Sequence, residues 1–359
     1  VERGIYIKNY LQGRKKRENR MDFEALLKQL QDWSNKVPLL VLGSGASVSF
    51  GLPSMWTLGE HLKHTLDFEE DLARKQFEAF KKSLEETKDL EKTLLEIQLN
   101  DTVLKSVLKA TWELISETDL KAYKEFVLNG EKVPLVMLMR HLLSTTNRKL
   151  SIVTTNYDRI AEYSASVAKA FICTGYIHNY IGHFSDSIHT NALANIKGYS
   201  GQVNIWKVHG SLDWFEAPNK ENIHLPLCKN IPQGHKPLIV TPGLSKYAET
   251  HKEPYRTIFK QADTEIQNAN GFLCIGYGFN DEHVQPKLIQ QIKSKPIIVI
   301  TKELTSKTKE AIIDGDCKNY ILMEECSGNH TKVYSSNQGE HTIEGVGYWQ
   351  LSEYIKLIK

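Results

Sequence analysis

The chain has no two cysteines placed to share a metal ion. Its five cysteines, Cys173, Cys228, Cys274, Cys317 and Cys326, are scattered over 359 residues and none forms a C-x-x-C pair. That excludes a zinc ribbon and a thioredoxin-like redox motif. An odd number of thiols in a chain of this size fits a reducing compartment. Charge of one sign is also scarce: 45 Lys and Arg against 43 Asp and Glu leave a net +2, too little to argue for nucleic acid. No apolar run approaches the roughly 18 residues that span a bilayer. The basic N-terminus lacks the apolar stretch of a secretory signal. The expectation is a cytoplasmic protein with no membrane contact.

What is present is ordinary globular composition, 41% hydrophobic and 25% charged, which at this length allows one large domain with an attachment, or two domains. Residues 1–20 carry Arg14-Lys15-Lys16-Arg17 and Arg20. They read as a basic, disordered arm, as residues ahead of a start at Met21, or as a contact for nucleic acid or an acidic partner. Six short runs rich in β-branched residues look like strands buried on both faces: Pro38–Leu42, Leu150–Thr154, Asn204–Val208, Pro237–Val240, Gly271–Ile275 and Pro296–Ile300. The stretches between several of them suit crossover helices. The fold class expected is α/β, a doubly wound, Rossmann-like parallel sheet.

Between Glu60 and Asn129 there is neither glycine nor proline. Leu90, Leu94 and Ile97, then Leu104, Leu108 and Ile115, recur at helical spacing. Residues 60–149 are therefore expected to be a helical insertion or cap. The sheet domain is expected over 21–59 and 150–330. Residues 331–359 are expected to be an extension ending in a helix, with Leu351, Tyr354, Ile355 and Ile358 on its apolar face.

Four segments at strand ends carry candidate chemistry. The first strand runs into Gly43-Ser44-Gly45-Ala46-Ser47, with Gly51-Leu52-Pro53 after it. Glycines there let phosphate oxygens approach backbone N–H groups, and a helix starting near Ser47 would add its positive end. The same residues serve a tight turn with no ligand. Val48 stands where G-x-G-x-x-G needs its third glycine, and no lysine follows, so the common dinucleotide and ATP-loop signatures fail. The second strand ends in Thr154-Thr155-Asn156-Tyr157-Asp158, where Asn156 and Asp158 can orient a sugar or water, or cap the next helix. The third ends in Val208-His209-Gly210-Ser211, whose imidazole can accept a hydroxyl proton near neutral pH or be structural. The fifth ends in Gly276-Tyr277-Gly278-Phe279-Asn280-Asp281, where Asn280 and Asp281 suit ribose hydroxyls and Asp281 also suits a helix cap.

In this order the four segments resemble the sirtuin superfamily, and more closely the bacterial sirtuin-like NAD hydrolases of antiphage defence. Pro242-Gly243-Leu244-Ser245-Lys246-Tyr247 adds to the likeness with the defence branch. The resemblance runs from about Val37 to Thr301, interrupted by the helical span. It implies that NAD is the substrate and that no metal is required. Gly43, Ser44, Gly45, Ala46, Ser47, Pro53, Thr155, Gly276, Tyr277, Asn280, Asp281 and Thr301 would contact NAD. Asn156, His209 and Asp158 would be catalytic. Sirtuin deacylases carry Asp-Phe-Arg where this chain has Ser54, Met55 and Trp56, and two zinc-binding cysteine pairs where it has Cys228 alone. These departures favour hydrolysis of NAD to nicotinamide and ADP-ribose. A deacylase, an ADP-ribosyltransferase and a non-catalytic NAD or ADP-ribose sensor are the alternatives. The resemblance also implies a homo-oligomer or a HerA-type ATPase partner, and no direct contact with nucleic acid.

Overall fold

The computed structural model describes residues 21–146, 148–177, 179–185, 197–240, 252–281 and 284–359. Helix α1 (Phe23–Asn35) starts at Asp22, whose carboxylate accepts the Ala25 N–H at 3.0 Å. It buries Leu26, Leu30 and Ser34, one residue per turn, and feeds strand β1 (Leu39–Leu42). Four helices follow: α2 (Met55–Thr65), α3 (Asp71–Thr87), α4 (Leu90–Glu96) and α5 (Asp101–Asn129). Then come α6 (Pro134–Leu143), β2 (Lys149–Thr154), α7 (Ile160–Val167), β3 (Phe171–Cys173), β4 (Tyr176–Ile177) and β5 (Gly182–Phe184). The chain continues through β6 (Gln202–Lys207), β7 (Gly210–Glu216), β8 (Asn222–His224) and β9 (Lys236–Ile239). After these lie α8 (Tyr255–Asn268), β10 (Phe272–Ile275), α9 (Gln285–Ile292), β11 (Ile297–Ile300) and α10 (Ser306–Ile312). The last elements are β12 (Tyr320–Cys326), β13 (His330–Ser335), β14 (Gly339–Ile343) and α11 (Leu351–Ile358).

The main sheet has the order β14-β13-β12-β11-β10-β1-β2-β6-β3. Every pairing from β12 to β3 is parallel, and β13 and β14 add an antiparallel edge. The chain builds outward from β1 in one direction through β2 and β6, then returns to pair β10 with the other side of β1. That reversal makes the sheet doubly wound, as expected. Alternate residues feed two cores. Leu40, Leu42, Ile152 and Ile205 meet α1, α6, α7 and α11 on one face. Leu39, Val41, Val153 and Trp206 meet α8, α9 and α10 on the other. With both faces covered, the strands must be apolar throughout, which is why they read as continuous runs rather than alternating ones.

One expected strand goes elsewhere. Residues 236–239 join a separate antiparallel sheet of order β4-β5-β8-β7-β9, so the Pro237–Val240 run is not part of the parallel sheet. An apolar run of four residues is equally buried in either setting, and sequence periodicity does not separate them. Residues 331–359 supply β13, β14 and α11, which extend the main sheet and its covering layer. The Tyr354 hydroxyl of α11 lies 3.1 Å from the Ser34 hydroxyl of α1, so the first and last described helices meet in one buried contact.

The 60–149 stretch is helical across its described elements, and α5 determines how it attaches. At 29 residues α5 is about 44 Å long. Its first half closes a separate core with α2, α3 and α4, through Leu58, Phe77, Phe80, Leu84, Leu94, Val103 and Val107. Its second half, with Trp112, Ile115, Ala122 and Phe126, belongs to the main core. The Trp112 indole N–H donates to Leu212 O of β7 at 2.9 Å, tying the helix to the small sheet. Because the two cores are distinct, Phe80→Ala should cost about 3–5 kcal/mol and loosen α2–α4 before the sheet. Hydrogen exchange that rises in α2–α4 while β1, β2 and β10 stay protected is the expected pattern.

Candidate functional site

The parallel register brings the candidate segments level. Leu42 pairs with Thr154 and Ile275, Thr154 with Lys207, and Ile275 with Ile300. Gly43, Thr155, Val208, Gly276 and Thr301 therefore leave five neighbouring strands in one row. Strands lie about 4.8 Å apart, so the row is roughly 19 Å wide. Its centre is the divergence point between β1 and β10, where open α/β sheets bind ligands.

Backbone packs on backbone there. The Gly43 N–H donates to Ile275 O and the Gly45 N–H to Gly276 O, both at 3.1 Å. A Cβ on Gly43 would lie 2.3 Å from Gly276 O, and one on Gly276, where φ is +55°, would lie 2.4 Å from the Gly45 carbonyl carbon. These glycines are needed for one loop to touch the other. The Ala46 and Ser47 N–H groups also donate internally, to Gly43 O and Ser44 O. No α-helix begins near Ser47. Two 3₁₀ turns, Ser44–Ala46 and Val48–Phe50, come first, and α2 starts only after Ser54, whose hydroxyl accepts the Thr57 N–H at 3.2 Å. The expected helix-end attraction at Ser47 is therefore absent. Ser44 and Gly45 remain exposed and Pro53 half-buried at the rim.

Asn156 does not cap α7. Its amide donates to Gly43 O at 2.9 Å and to the Ser47 hydroxyl at 3.2 Å, bridging the ends of β1 and β2. Asp158 takes the local role: its carboxylate accepts the Ile160 N–H at 3.1 Å. Burial pushes the Asp158 carboxyl above its ordinary range, more strongly than the Lys207 charge and the Ser47 and Ile160 hydrogen bonds pull it down.

His209 sits on a corner. The chain leaves the main sheet at Lys207 and enters the small one at Gly210, where φ is +86° and a Cβ would strike Leu238 O at 1.9 Å. The His209 Nε2 lies 2.9 Å from the Asp281 carboxylate, within ion-pair distance. Asp281 also accepts the Val284 N–H at 2.9 Å, so it caps as well as pairs. Strands β6 and β10 are separated by β2 and β1. The 276–281 segment must therefore cross the ends of both to reach His209, with Tyr277 and Phe279 buried and Asn280 exposed on the way. Thr301, half-buried, holds its own turn through Glu303 O. The Pro242–Tyr247 stretch lies outside the described residues.

Sequence reading missed the buried charges behind this row. The Asp119 carboxylate of α5 accepts the Arg159 N–H at 2.7 Å, its Nε at 2.9 Å and its NH2 group at 2.6 Å, and the Tyr163 hydroxyl at 2.6 Å. From the other side Lys207, fully buried, donates to Tyr157 O and Asp158 O and pairs with Glu162 at 3.0 Å. The loop bearing Asn156 and Asp158 is thus pinned between two buried ion pairs. Removing one partner of such a pair costs about 3–5 kcal/mol. The only sequence signal was charge inside apolar segments, Asp119 on a buried helix face and Lys207 at the end of a strand. Among the described residues, no three His, Cys, Asp or Glu side chains gather as a metal site. No described helix is long and apolar enough to cross a membrane.

A third pair, His224 and Asp213, lies 3.0 Å apart in the small sheet. Burial works against both charges, yet their mutual attraction wins, raising the imidazole's value and holding the carboxyl well below its usual range. The His224 contribution is full below the ordinary 6.5 and is lost as pH rises through the raised value. The Asp213 contribution is full above the ordinary 3.8 and is lost as pH falls through the depressed one. Thermal melts should show wild type losing stability from neutral to mildly alkaline pH, and His224→Gln losing much less over that window.

Residues 150–296 match the family described as SIR2-like domain. Several solved structures share the outline of the chain at low identity. A Sir2 homologue in complex with NAD aligns at 14% identity and TM-score 0.40, over 85% of this chain and 89% of that one. A Sir2 homologue mutant in complex with 2′-O-acetyl ADP-ribose aligns at 14% identity and TM-score 0.45, over 94% and 96%. No curated protein matches the chain.

Proposed function

We propose that this protein hydrolyses NAD to nicotinamide and ADP-ribose in the row formed by Gly43, Asn156, His209 and Gly276. The observation that carries the reading is the His209–Asp281 pairing, 2.9 Å across the ends of two intervening strands. A phosphate cradle alone needs no oriented imidazole. The SIR2-like match over 150–296 covers Asn156, His209 and Asp281 and supports the same reading.

The substrate fits the row in size and chemistry. Exposed Ser44 and Gly45 and half-buried Ala46 and Pro53 lie where a diphosphate passes the divergence point. Gly45 lets this loop close on Gly276, where a Cβ would lie 2.8 Å from the Gly276 Cα; Thr155, Tyr277, Asn280 and Thr301 flank the row. Nicotinamide leaves NAD with the electron pair of its bond to the ribose, so the transition state carries positive charge on the sugar. Such a reaction needs placement of sugar and water, and stabilisation of developing charge. Asn156, held by Gly43 O and Ser47, places its side chain carbonyl toward the ribose and the attacking water. His209, held by Asp281, orients a ribose hydroxyl, takes up its proton as the glycosidic bond breaks and returns it once water has added. Water adds to the anomeric carbon and its proton passes to solvent, giving ADP-ribose. Asp158 lends negative field from behind Asn156. Its raised value means that this field fades at a higher pH than for an ordinary carboxylate.

Destruction of NAD is a cost to the cell that holds the enzyme, so activity must be switched. Its role as an antiphage effector, acting as a homo-oligomer or with a HerA-type ATPase, belongs to the same proposal and rests on the resemblance of the four segments. His209→Ala and Asn156→Ala should each lower nicotinamide release by about 100-fold or more while each variant still unfolds cooperatively, if at a lower temperature. Chromatography of the products decides the reaction: free ADP-ribose supports hydrolysis. Acyl-ADP-ribose formed with acylated peptide would replace it with deacylation, and tight NAD binding without turnover would replace it with a sensor.

A further inference from the structure

Among the described residues, the hydrogen bonds from the helical insertion to the turn after Asn156 come through Asp119. Asp119 lies on the half of α5 that has left the insertion's own core and joined the main one. Its carboxylate is fully buried, and all four hydrogen bonds it accepts come from residues just after Asp158. Three are from Arg159 and one is from Tyr163. One of the Arg159 bonds uses the backbone N–H next to Asp158, so the carboxylate fixes main chain as well as side chain. A buried carboxylate needed only to neutralise Arg159 would not have to hold that N–H.

We propose that Asp119 is a positioning residue for the site. It locks the turn at Arg159, thereby sets where Asn156 and Asp158 stand, and makes turnover depend on how the helical insertion is seated. This rests on the hydrolase reading for its effect on activity, while the clamp itself is a property of the fold. A shift of α5 along its axis moves the Asp119 oxygens away from the Arg159 N–H, and the loop then loses the support on its α5 side. Lys207 would still hold Tyr157 O and Asp158 O, so the loop would loosen without detaching. The insertion thus has a physical route to the reacting groups that needs no contact with substrate.

The test uses the full chain and three variants. Asp119→Asn keeps the shape and removes the charge. Asp119→Glu restores the charge at a different reach. Because Asp119→Asn leaves the Arg159 guanidinium buried without its counter-charge, the double variant Asp119→Asn/Arg159→Met is the form expected to fold in every preparation. Hydrogen–deuterium exchange of the 154–165 amides reads the clamp directly, and NAD turnover reads its consequence. In the folded double variant, exchange at 156–163 should rise while β1 and β10 stay protected. The kcat should fall by about tenfold or more with KM for NAD changed much less, and Asp119→Glu should recover part of it. Unchanged exchange at 156–163, or an unchanged kcat in a variant whose loop exchange has risen, would overturn the proposal. So would parallel loss of kcat, KM and thermal stability, since a purely structural role predicts that. If wild type releases no nicotinamide, the hydrolase reading falls and the exchange result alone decides the clamp.

Discussion

The contact of Gly43 and Gly45 with Gly276 fixes where everything else stands. Strands β1 and β10 are neighbours because the chain reverses its direction of growth at β1, and the loops leaving them must share the space above one sheet edge. With no side chain at Gly43, Gly45 or Gly276, the two backbones touch and the first loop donates two N–H···O bonds to the second. The 276–281 segment can then run low over β1 and β2 and reach His209. Bulkier residues at the contact would raise that segment, and the His209–Asp281 pairing would open. The glycines therefore serve the imidazole as much as any phosphate.

That constraint explains a loop built unlike a common nucleotide cradle. The N–H groups of Gly43, Gly45, Ala46 and Ser47 are committed to carbonyls within the protein, and no helix end points at the row from Ser47. A ligand here meets a compact surface of small residues with Asn156 and His209 beyond it. With its N–H groups so committed, the loop offers an anion only modest attraction. Cleavage of a glycosidic bond with a cationic leaving group is compatible with that, because its chemistry depends on orientation more than on tight grip of phosphate.

Much of this was legible in the sequence. Five of six expected strands lie in the main sheet, and the candidate residues fall in one row because strand ends are marked by abrupt changes from β-branched to small and polar residues. The Asn156 and Asp281 roles were open between cap and ligand, and side-chain geometry separates them: Asn156 bridges two strands, whereas Asp281 caps and pairs at once. What did not show was long-range. Nothing local in Pro237–Val240 says which sheet it joins, and the period of β13 and β14 is hidden by turns and charge. The ion pair of Asp119 with Arg159 joins residues forty positions apart, and a charged residue on a helix reads as solvated until its neighbours are known.

The buried pairs also bear on why the insertion is attached as it is. Arg159 and Lys207 place two cations inside the protein, each costly without a partner. Lys207 is answered from within the sheet domain, by Glu162. Among the described residues Arg159 pairs with Asp119, which α5 brings. Without a counter-charge from α5, burying Arg159 in the sheet domain is costly. Tyr163 adds a second donor to the same carboxylate, and burial next to Asp119 raises its hydroxyl well above the ordinary range, keeping it a donor at any physiological pH. A carboxylate forty residues upstream of Arg159 thus bears on the geometry of a loop that itself holds no residue of the insertion.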